Sequence, residues 1–247
     1  MSFHLQLVLR PAPGQFQPVF AEVEHDLENL AIDSDDPLQD EIEKELGCTT
    51  EDATSEQLSS LANDYCWGIF GSKEKSFDKA KFCLQAAVDK GSIEAQYSMG
   101  LLHKSGVYIN DHCVGQSDQL AFLWVKRAVD SGLTPANTRL AEFYKDGTGT
   151  EQSYEKAAAC YERAGNDSCR ALCELAEMYE SGHGVERSSK KAAELYLAAA
   201  MKKDERAAFQ LAKLYFVGQG VERSPEQAEY WYNKALALKQ ASDELYG

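Results

Sequence analysis

The sequence predicts an all-α protein, a right-handed α/α superhelix (solenoid) of five helix-pair repeats, preceded by a small non-repeat N-terminal segment containing some strand. Two observations carry that prediction. Tyr144, Tyr179 and Tyr215 are 35 and 36 residues apart; Gly149, Gly184 and Gly220 keep the same two intervals, and so do Ala157, Ala192 and Ala228. A fixed period in this range marks stacked units, none of which can bury its apolar face alone. Within each period, apolar residues recur at helical spacing on both sides of a glycine turn, which makes the unit a helix hairpin.

The elements follow in chain order. Phe3, Leu5, Leu7 and Leu9 alternate with His4, Gln6 and Val8, a strand pattern. Pro11, Pro13 and Gly14 then form a turn before a second strand over Gln15–Val23, so strand is expected only within residues 1–25. Asp33-Ser34-Asp35-Asp36-Pro37 reads as a turn feeding a short acidic helix over Leu38–Leu46, stopped by Gly47. Thr54, with Gln57 three residues on, is placed to cap the first helix of the repeat body. The expected plan is an acidic segment over 1–56, five helix pairs over 57–236 and a C-terminal capping extension over 237–247.

The clearest copies run over 136–165, 170–200 and 206–236, each with a helix, a Gly-x-Gly turn and a second helix rich in Ala and aromatics. Earlier copies are weaker. EAQYSMGLLHKSG (94–106) is followed by QLAFLWVKRAVDSG (119–132), and LSSLANDYCWG (58–68) by FDKAKFCLQAAVDKG (77–91). In the second copy Gly106 to Ala121 spans 15 residues, where Gly147 to Ala157 spans 10, so the 107–118 loop is an insertion. Insertions in repeat arrays map to loops on one rim, often the binding rim.

The pattern A-x-x-x-L-A-x-x-Y-x-x-G-x-G-V, then K-A-x-x-W/L-Y-x-x-A, resembles the Sel-one-like repeat (SLR) family, relatives of the tetratricopeptide repeats. The resemblance covers roughly residues 57–236, and segment 1–56 matches nothing in it. It implies an α/α superhelix acting as an adaptor or scaffold, commonly in bacterial secretion, signalling and toxin-neutralising systems. In the tetratricopeptide relatives the first helices line the concave side.

Net charge is −15, and its distribution is uneven. Residues 1–56 hold 14 acidic residues against Arg10 and Lys44, a net of −12, while 57–247 holds 26 acidic against 23 basic residues, a net of −3. Such a chain is repelled by nucleic-acid phosphates and anionic membranes and attracted to basic proteins. No apolar run approaches the roughly 20 residues needed to cross a bilayer, and the N-terminus lacks a secretory pattern. A cytoplasmic monomer is expected, with its seven cysteines reduced and mostly buried.

No motif carries catalytic or metal chemistry. The Gly-x-Gly turns follow helices and lack a Gly-Lys-Ser/Thr ending, so they serve backbone reversal. Aligning second helices places Cys83, Trp124, Cys160, Leu195 and Trp231 in one column, where cysteine acts as a small buried hydrophobe. Cys169 and Cys173 have only His183 as an evident further ligand. His103 falls in the tyrosine column and reads as a packing residue. His112-Cys113 sits in the inserted loop with no orienting carboxylate set by motif, and Glu177 with Glu180 reads as a solvated pair. No enzyme activity and no cofactor are expected; an enzyme using the 107–118 loop is the remote alternative.

Binding is expected on the first helices. Counting from the leading small residue (Gln57 by register, then Ala95, Ala136, Ala171 and Ala207), positions 1, 5 and 9 share one inward stripe at about 100° per residue. Position 7 points away, flanked by 4 and 10. The exposed columns are then Ser60, Ser98, Arg139, Glu174 and Gln210; Asn63, Leu101, Glu142, Glu177 and Lys213; and Cys66, Lys104, Lys145, Glu180 and Phe216. The expected function is non-enzymatic sequestration of one protein partner, most specifically by an immunity-type protein neutralising a basic toxin or secreted effector. A general scaffold for peptide segments is the alternative. Because Trp231 lies in a packing column, Trp231→Ala should destabilise the fold by roughly 3–5 kcal/mol, read as a fall in denaturant midpoint.

Overall fold

The computed structural model describes residues 37–68, 74–110 and 112–246. The strands expected within residues 1–25 and the turn at Asp33–Asp36 lie outside them. The described helices are α1 (Pro37–Leu46), α2 (Ser55–Trp67), α3 (Phe77–Asp89), α4 (Ile93–Ser105), α5 (Asp118–Asp130), α6 (Ala136–Asp146), α7 (Tyr154–Ala164), α8 (Cys169–Ser181), α9 (Ser189–Met201), α10 (Glu205–Val217) and α11 (Pro225–Tyr246). The fold is the expected all-α solenoid: α2–α3, α4–α5, α6–α7, α8–α9 and α10–α11 are five hairpins in succession. The chain divides into two compact units, residues 1–124 with 149–151, and residues 125–148 with 152–247.

One serine per repeat explains the hairpins. Ser76, Ser117, Ser153, Ser188 and Ser224 stand four residues before the Ala column of the second helix. Each donates its backbone N–H to the carbonyl at position 9 of the preceding helix, on Tyr65, His103, Tyr144, Tyr179 and Tyr215, at 2.8–3.1 Å. Each hydroxyl also accepts from the amide three residues on, at 3.2–3.3 Å. The same residue therefore closes the hairpin and caps the second helix, satisfying an otherwise orphaned donor. Thr54 and Gln57 form the expected capping box on α2. In that role Gln57 is exposed, so it does not take the inward position that register assigned it.

The two glycines of each Gly-x-Gly turn have different duties. Gly147, Gly182 and Gly218 are left-handed caps donating to the carbonyl four residues back. Gly149, Gly184 and Gly220 touch the preceding repeat: a Cβ there would lie 1.9, 2.2 and 2.1 Å from backbone atoms of Asp118, Tyr154 and Ser189, the first residues of α5, α7 and α9. Close stacking of successive repeats thus needs a residue without a side chain.

In the first unit, Ile42 of α1 is fully buried with Leu58, Tyr65, Ala80, Cys83, Met99 and Trp124. Part of the acidic N-terminal segment is therefore core. The insertion after α4 forms a two-stranded antiparallel hairpin, β1 (Val107–Ile109) and β2 (His112–Val114), with Tyr108 opposite Cys113, which corrects the expectation of strand only within residues 1–25. It is tied down by His103, whose Nδ1 lies 3.1 Å from the Gly115 carbonyl and whose ring meets Phe77 edge-on at 5.4 Å. Burial lowers the pKa of His103, as befits a packed, neutral ring.

In the second unit, α7 packs on α8 and α9 on α10, so each second helix carries the next repeat. The aligned column is buried at Cys160 and Trp231 here, as at Cys83 and Trp124 in the first unit, while Leu195 is half-buried. All seven cysteines are free, but only Cys83, Cys160 and Cys173 are buried; Cys113 is exposed and the other three are intermediate, so the expectation of mostly buried thiols holds for fewer than half. Burial raises Cys66 to about 11 and Cys173 to about 12. Residues 237–246 continue α11 without a break.

The division of labour between the glycines is testable within one turn. Gly182→Ala meets only the Arg187 side chain, at 3.2 Å, and should cost about 1–2 kcal/mol from its left-handed backbone. Gly184→Ala meets the Tyr154 backbone and should cost clearly more, about 3 kcal/mol or above. Urea unfolding of the two variants measures the difference.

Candidate protein-binding face

The columns at positions 4, 7 and 10 come to lie together along the first helices of each unit, but they are not uniformly open. In the first unit Ser60 and Asn63 are exposed, while Cys66, Ser98, Leu101 and Lys104 are intermediate. Lys104 Nζ holds Asp118 Oδ1 at 2.9 Å. In the second unit Arg139, Lys145, Glu177, Glu180 and Gln210 are intermediate, and Lys213 and Phe216 are exposed. Glu142 and Glu174 are buried, each 8% exposed. That corrects the expectation of solvated columns.

The reason is a ladder of charge between successive repeats. Glu142 receives Arg139 Nη1 at 2.7 Å from its own helix and Arg170 Nε at 2.6 Å from α8. Glu174 receives Lys145 Nζ at 2.7 Å from α6 and Arg206 Nη1 at 3.2 Å from α10. The other Arg206 nitrogen pairs with Glu177. Arg170 and Arg206 occupy the same place, immediately before the leading alanine, and each meets the position-7 glutamate of the preceding repeat. Sequence reasoning missed both, although the recurring Arg-Ala at 170–171 and 206–207 was the visible signal. Glu180 is held by the Tyr196 hydroxyl at 2.8 Å.

Electrostatics follow this geometry. Burial raises the pKa of Glu174, but hydrogen bonds and charge from Lys145 and then Arg206 outweigh it and hold the carboxyl below its ordinary value. Burial lowers Lys145, but its bond to Glu174 and that charge carry the net shift upward. The face is thus a preorganised array of compensated charge ending in Lys213 and Phe216, the latter 63% exposed.

Cys113 Sγ donates to the Ser105 carbonyl at 3.3 Å and lies 3.7 Å from Gln116 Oε1, neither of which is a base. Cys173 Sγ donates to Asp204 Oδ1, and His183 stacks on Tyr154 at 4.9 Å between centroids. Among the described residues no three His, Cys, Asp or Glu side chains form a group that could hold a metal. No described helix is long and apolar enough to cross a membrane.

The Sel1 repeat family model matches residues 59–92, 93–133, 134–168, 169–204 and 205–239. The chain belongs to the Sel1 repeat family. Sel1 repeats are protein-interaction scaffolds, which agrees with a face built of paired charges and exposed apolar groups. The fold is similar to a protective antigen of uropathogenic Escherichia coli displaying an SLR fold (TM-score 0.70, 25% identity), covering 78% of this chain and 40% of that one. The chain therefore spans two-fifths of that antigen's length. It is also similar to a Sel1 repeat protein from Oxalobacter formigenes (TM-score 0.65, 24% identity, 74% of this chain and 73% of that one). An immunity protein from Pseudomonas aeruginosa, Pa5087, shares 23% identity over 94% of this chain and 84% of its own, at a TM-score of 0.46. A comparison with curated proteins found no match.

The Sel1 charge ladder predicts a pH signature. A carboxyl whose folded pKa is depressed stabilises fully above its unfolded value and loses that contribution as pH falls through the folded value. Glu174 should therefore support stability at neutral pH and progressively less below pH 4.5. Glu174→Gln should cost about 1–2 kcal/mol at neutral pH, discounted for its partly exposed partners, with the gap to wild type narrowing below pH 4.5. Urea titrations across that range check both.

Proposed function

We propose that the chain is a non-enzymatic protein-binding solenoid that sequesters one protein partner on its first-helix face, as an immunity-type protein neutralising a basic toxin or secreted effector. The observation that carries this reading is the concentration of charge: a net of −12 in residues 1–56 against −3 in the remaining 191. A field of that sign and density steers a basic protein toward the array. Once docked, the partner meets Lys213 and Phe216, the exposed residues of the face in the second unit, flanked by the half-buried Glu177 and Glu180. The inserted hairpin favours a second reading, with contact on the rim, because Tyr108 and Val114 are exposed there.

Capture from the native host should yield a single stoichiometric protein; several exchangeable ones would favour a general assembly scaffold instead. With the partner in hand, kinetics across ionic strength separates steering from anchoring. Deleting 1–56 would remove Ile42 from the core, so the acids are better neutralised in place. Changing Glu22, Glu24, Asp26, Glu28, Asp33, Asp35 and Asp36 to their amides should slow association and flatten its salt dependence. Phe216→Ala and Glu177→Ala should instead speed dissociation, by about tenfold or more for an anchor. If both leave dissociation unchanged while changes within 107–118 abolish binding, the rim is the site.

A further inference from the structure

Inside the second unit, the fourth repeat lacks a long side chain that the repeats on either side of it possess. The sixth residue after the second-helix alanine column reads Ala86, Arg127, Arg163, Ala198 and Lys234. In the third repeat Arg163 Nη2 lies 3.4 Å from Cys160 Sγ, its Nε donates to the Ala159 carbonyl at 3.3 Å, and its charge is felt at the Tyr144 hydroxyl of α6. In the fifth, Lys234 Nζ lies 4.7 Å above the Trp231 ring. In the fourth, Ala198 has only a methyl to offer, and a groove of about 430 Å³ opens between α7 and α9. Its floor is Leu172, Leu175 and Tyr179 of α8, all buried. Leu195 of α9 lines it as well, and the exposed carboxylates of Glu162 and Glu194 stand at its rim.

We infer that this groove takes an arginine side chain presented by a basic protein partner, in the place that Arg163 holds within the third repeat. The first support is that the short residue and the two acids coincide. Where this groove has Glu162 and Glu194, the preceding one has Lys126 and Ala159, and the following one Leu197 and Tyr230. Neither acid forms an ion pair among the described residues; Glu162 accepts the Tyr179 hydroxyl at 3.2 Å through one oxygen, which orients its carboxylate. Lys191, the cation among the lining residues, is lodged over the Tyr179 ring at 4.8 Å, as Lys156 is over Tyr144 at 5.4 Å. The fourth repeat thus keeps that lysine and lacks the second cation. The second support is shape: an apolar floor suits the aliphatic stem of arginine while its head stays at the wet rim. The planar guanidinium also pairs with a carboxylate through two bonds, as an ammonium does not. Lysine fills the equivalent place only in the fifth repeat, over a Trp231 ring that the fourth replaces with Leu195. The inference takes the basic partner from the proposed function and adds a contact on the second-helix side, where none of the first-helix columns lines the groove.

The probe is N-acetyl-arginine N-methylamide, a single arginine in chain-like form. In methyl NMR spectra of the full chain it should shift Leu172, Leu175 and Leu195, with a Kd of about 1 mM. The citrulline analogue, equal in shape and uncharged, should bind about tenfold more weakly or worse, and so should the arginine probe to Glu162→Gln with Glu194→Gln. Ala198→Arg should abolish the shifts by filling the groove from within, with helicity unchanged by circular dichroism. Glu177→Ala should leave probe binding as it is, so failure of the first-helix reading and failure of this one are told apart. With a basic partner in hand, Ala198→Arg should weaken its binding about tenfold. The assignment is overturned by absence of shifts at about 20 mM probe, by equal binding of the citrulline analogue, by shifts that survive Ala198→Arg, or by a partner indifferent to that substitution. Free arginine bound more tightly than the blocked probe would overturn it too, making the groove a small-molecule site.

Discussion

Five serine amides, each bonded to the carbonyl at position 9 of the helix before it, hold the repeats in one geometry. Everything else in the array depends on that bond. It fixes where the second helix starts relative to the end of the first, and so which side chains face the neighbouring repeat. The same serine supplies the cap that starts the second helix, so closing the hairpin and nucleating the helix are one event. Because the acceptor is a backbone carbonyl, the side chain at position 9 is free to vary. That is why His103 can stand in the tyrosine column without disturbing the hairpin, and why its ring could be turned to anchoring the inserted strands.

Given fixed hairpins, stacking is limited by how closely one turn can approach the preceding repeat. The second glycine of each Gly-x-Gly turn sets that distance against the backbone at the start of α5, α7 and α9. With the second unit's turns seated so closely, the first helices run near enough for arginine at the position before the leading alanine to reach back to glutamate at position 7. The ladder Arg170–Glu142 and Arg206–Glu177 is thus a consequence of glycine spacing as much as of charge. Its net worth is modest per pair where the arginines remain half in water. Its larger effect is to hold long side chains in one arrangement.

The fold was legible because its determinants are local and periodic. The alanine, tyrosine and glycine columns announce helix, hairpin and stack without reference to distant residues, and Thr54 with Gln57 announces a cap. The serine column was equally periodic but polar, and a pattern read for apolar spacing passes over it. The face was only partly legible. Single-helix geometry correctly opposes positions 4, 7 and 10 to the packing stripe, yet it knows nothing of the neighbouring helix, and it left Glu142 and Glu174 in solvent. Burial of those two carboxylates depends on residues 28 and 32 positions later, Arg170 and Arg206, and only the stack brings them together. The placement of Ile42 in the first core was hidden for a related reason: in an acidic helix, one isoleucine gives little periodicity to read.

The ladder also decides which side chains of the face already have partners. Along α6 and α8 the position-7 and position-4 carboxylates are engaged by cations of the array itself, so a ligand reaching them must compete with partners already in place, at the cost of leaving a buried charge unpaired. On α10 the pattern changes: position 7 becomes Lys213, position 4 becomes Gln210 and position 10 becomes Phe216. No arginine of a further described repeat reaches back, and none would be attracted to a lysine. The sequence thus switches, within one repeat, from carboxylates held by cations to a lysine whose ammonium lies over the Phe209 ring at 4.7 Å. On α10 the side chains of these columns are therefore the most accessible of the second unit, with Lys213 exposed and Phe216 63% exposed, because no cation or carboxylate of the array engages them.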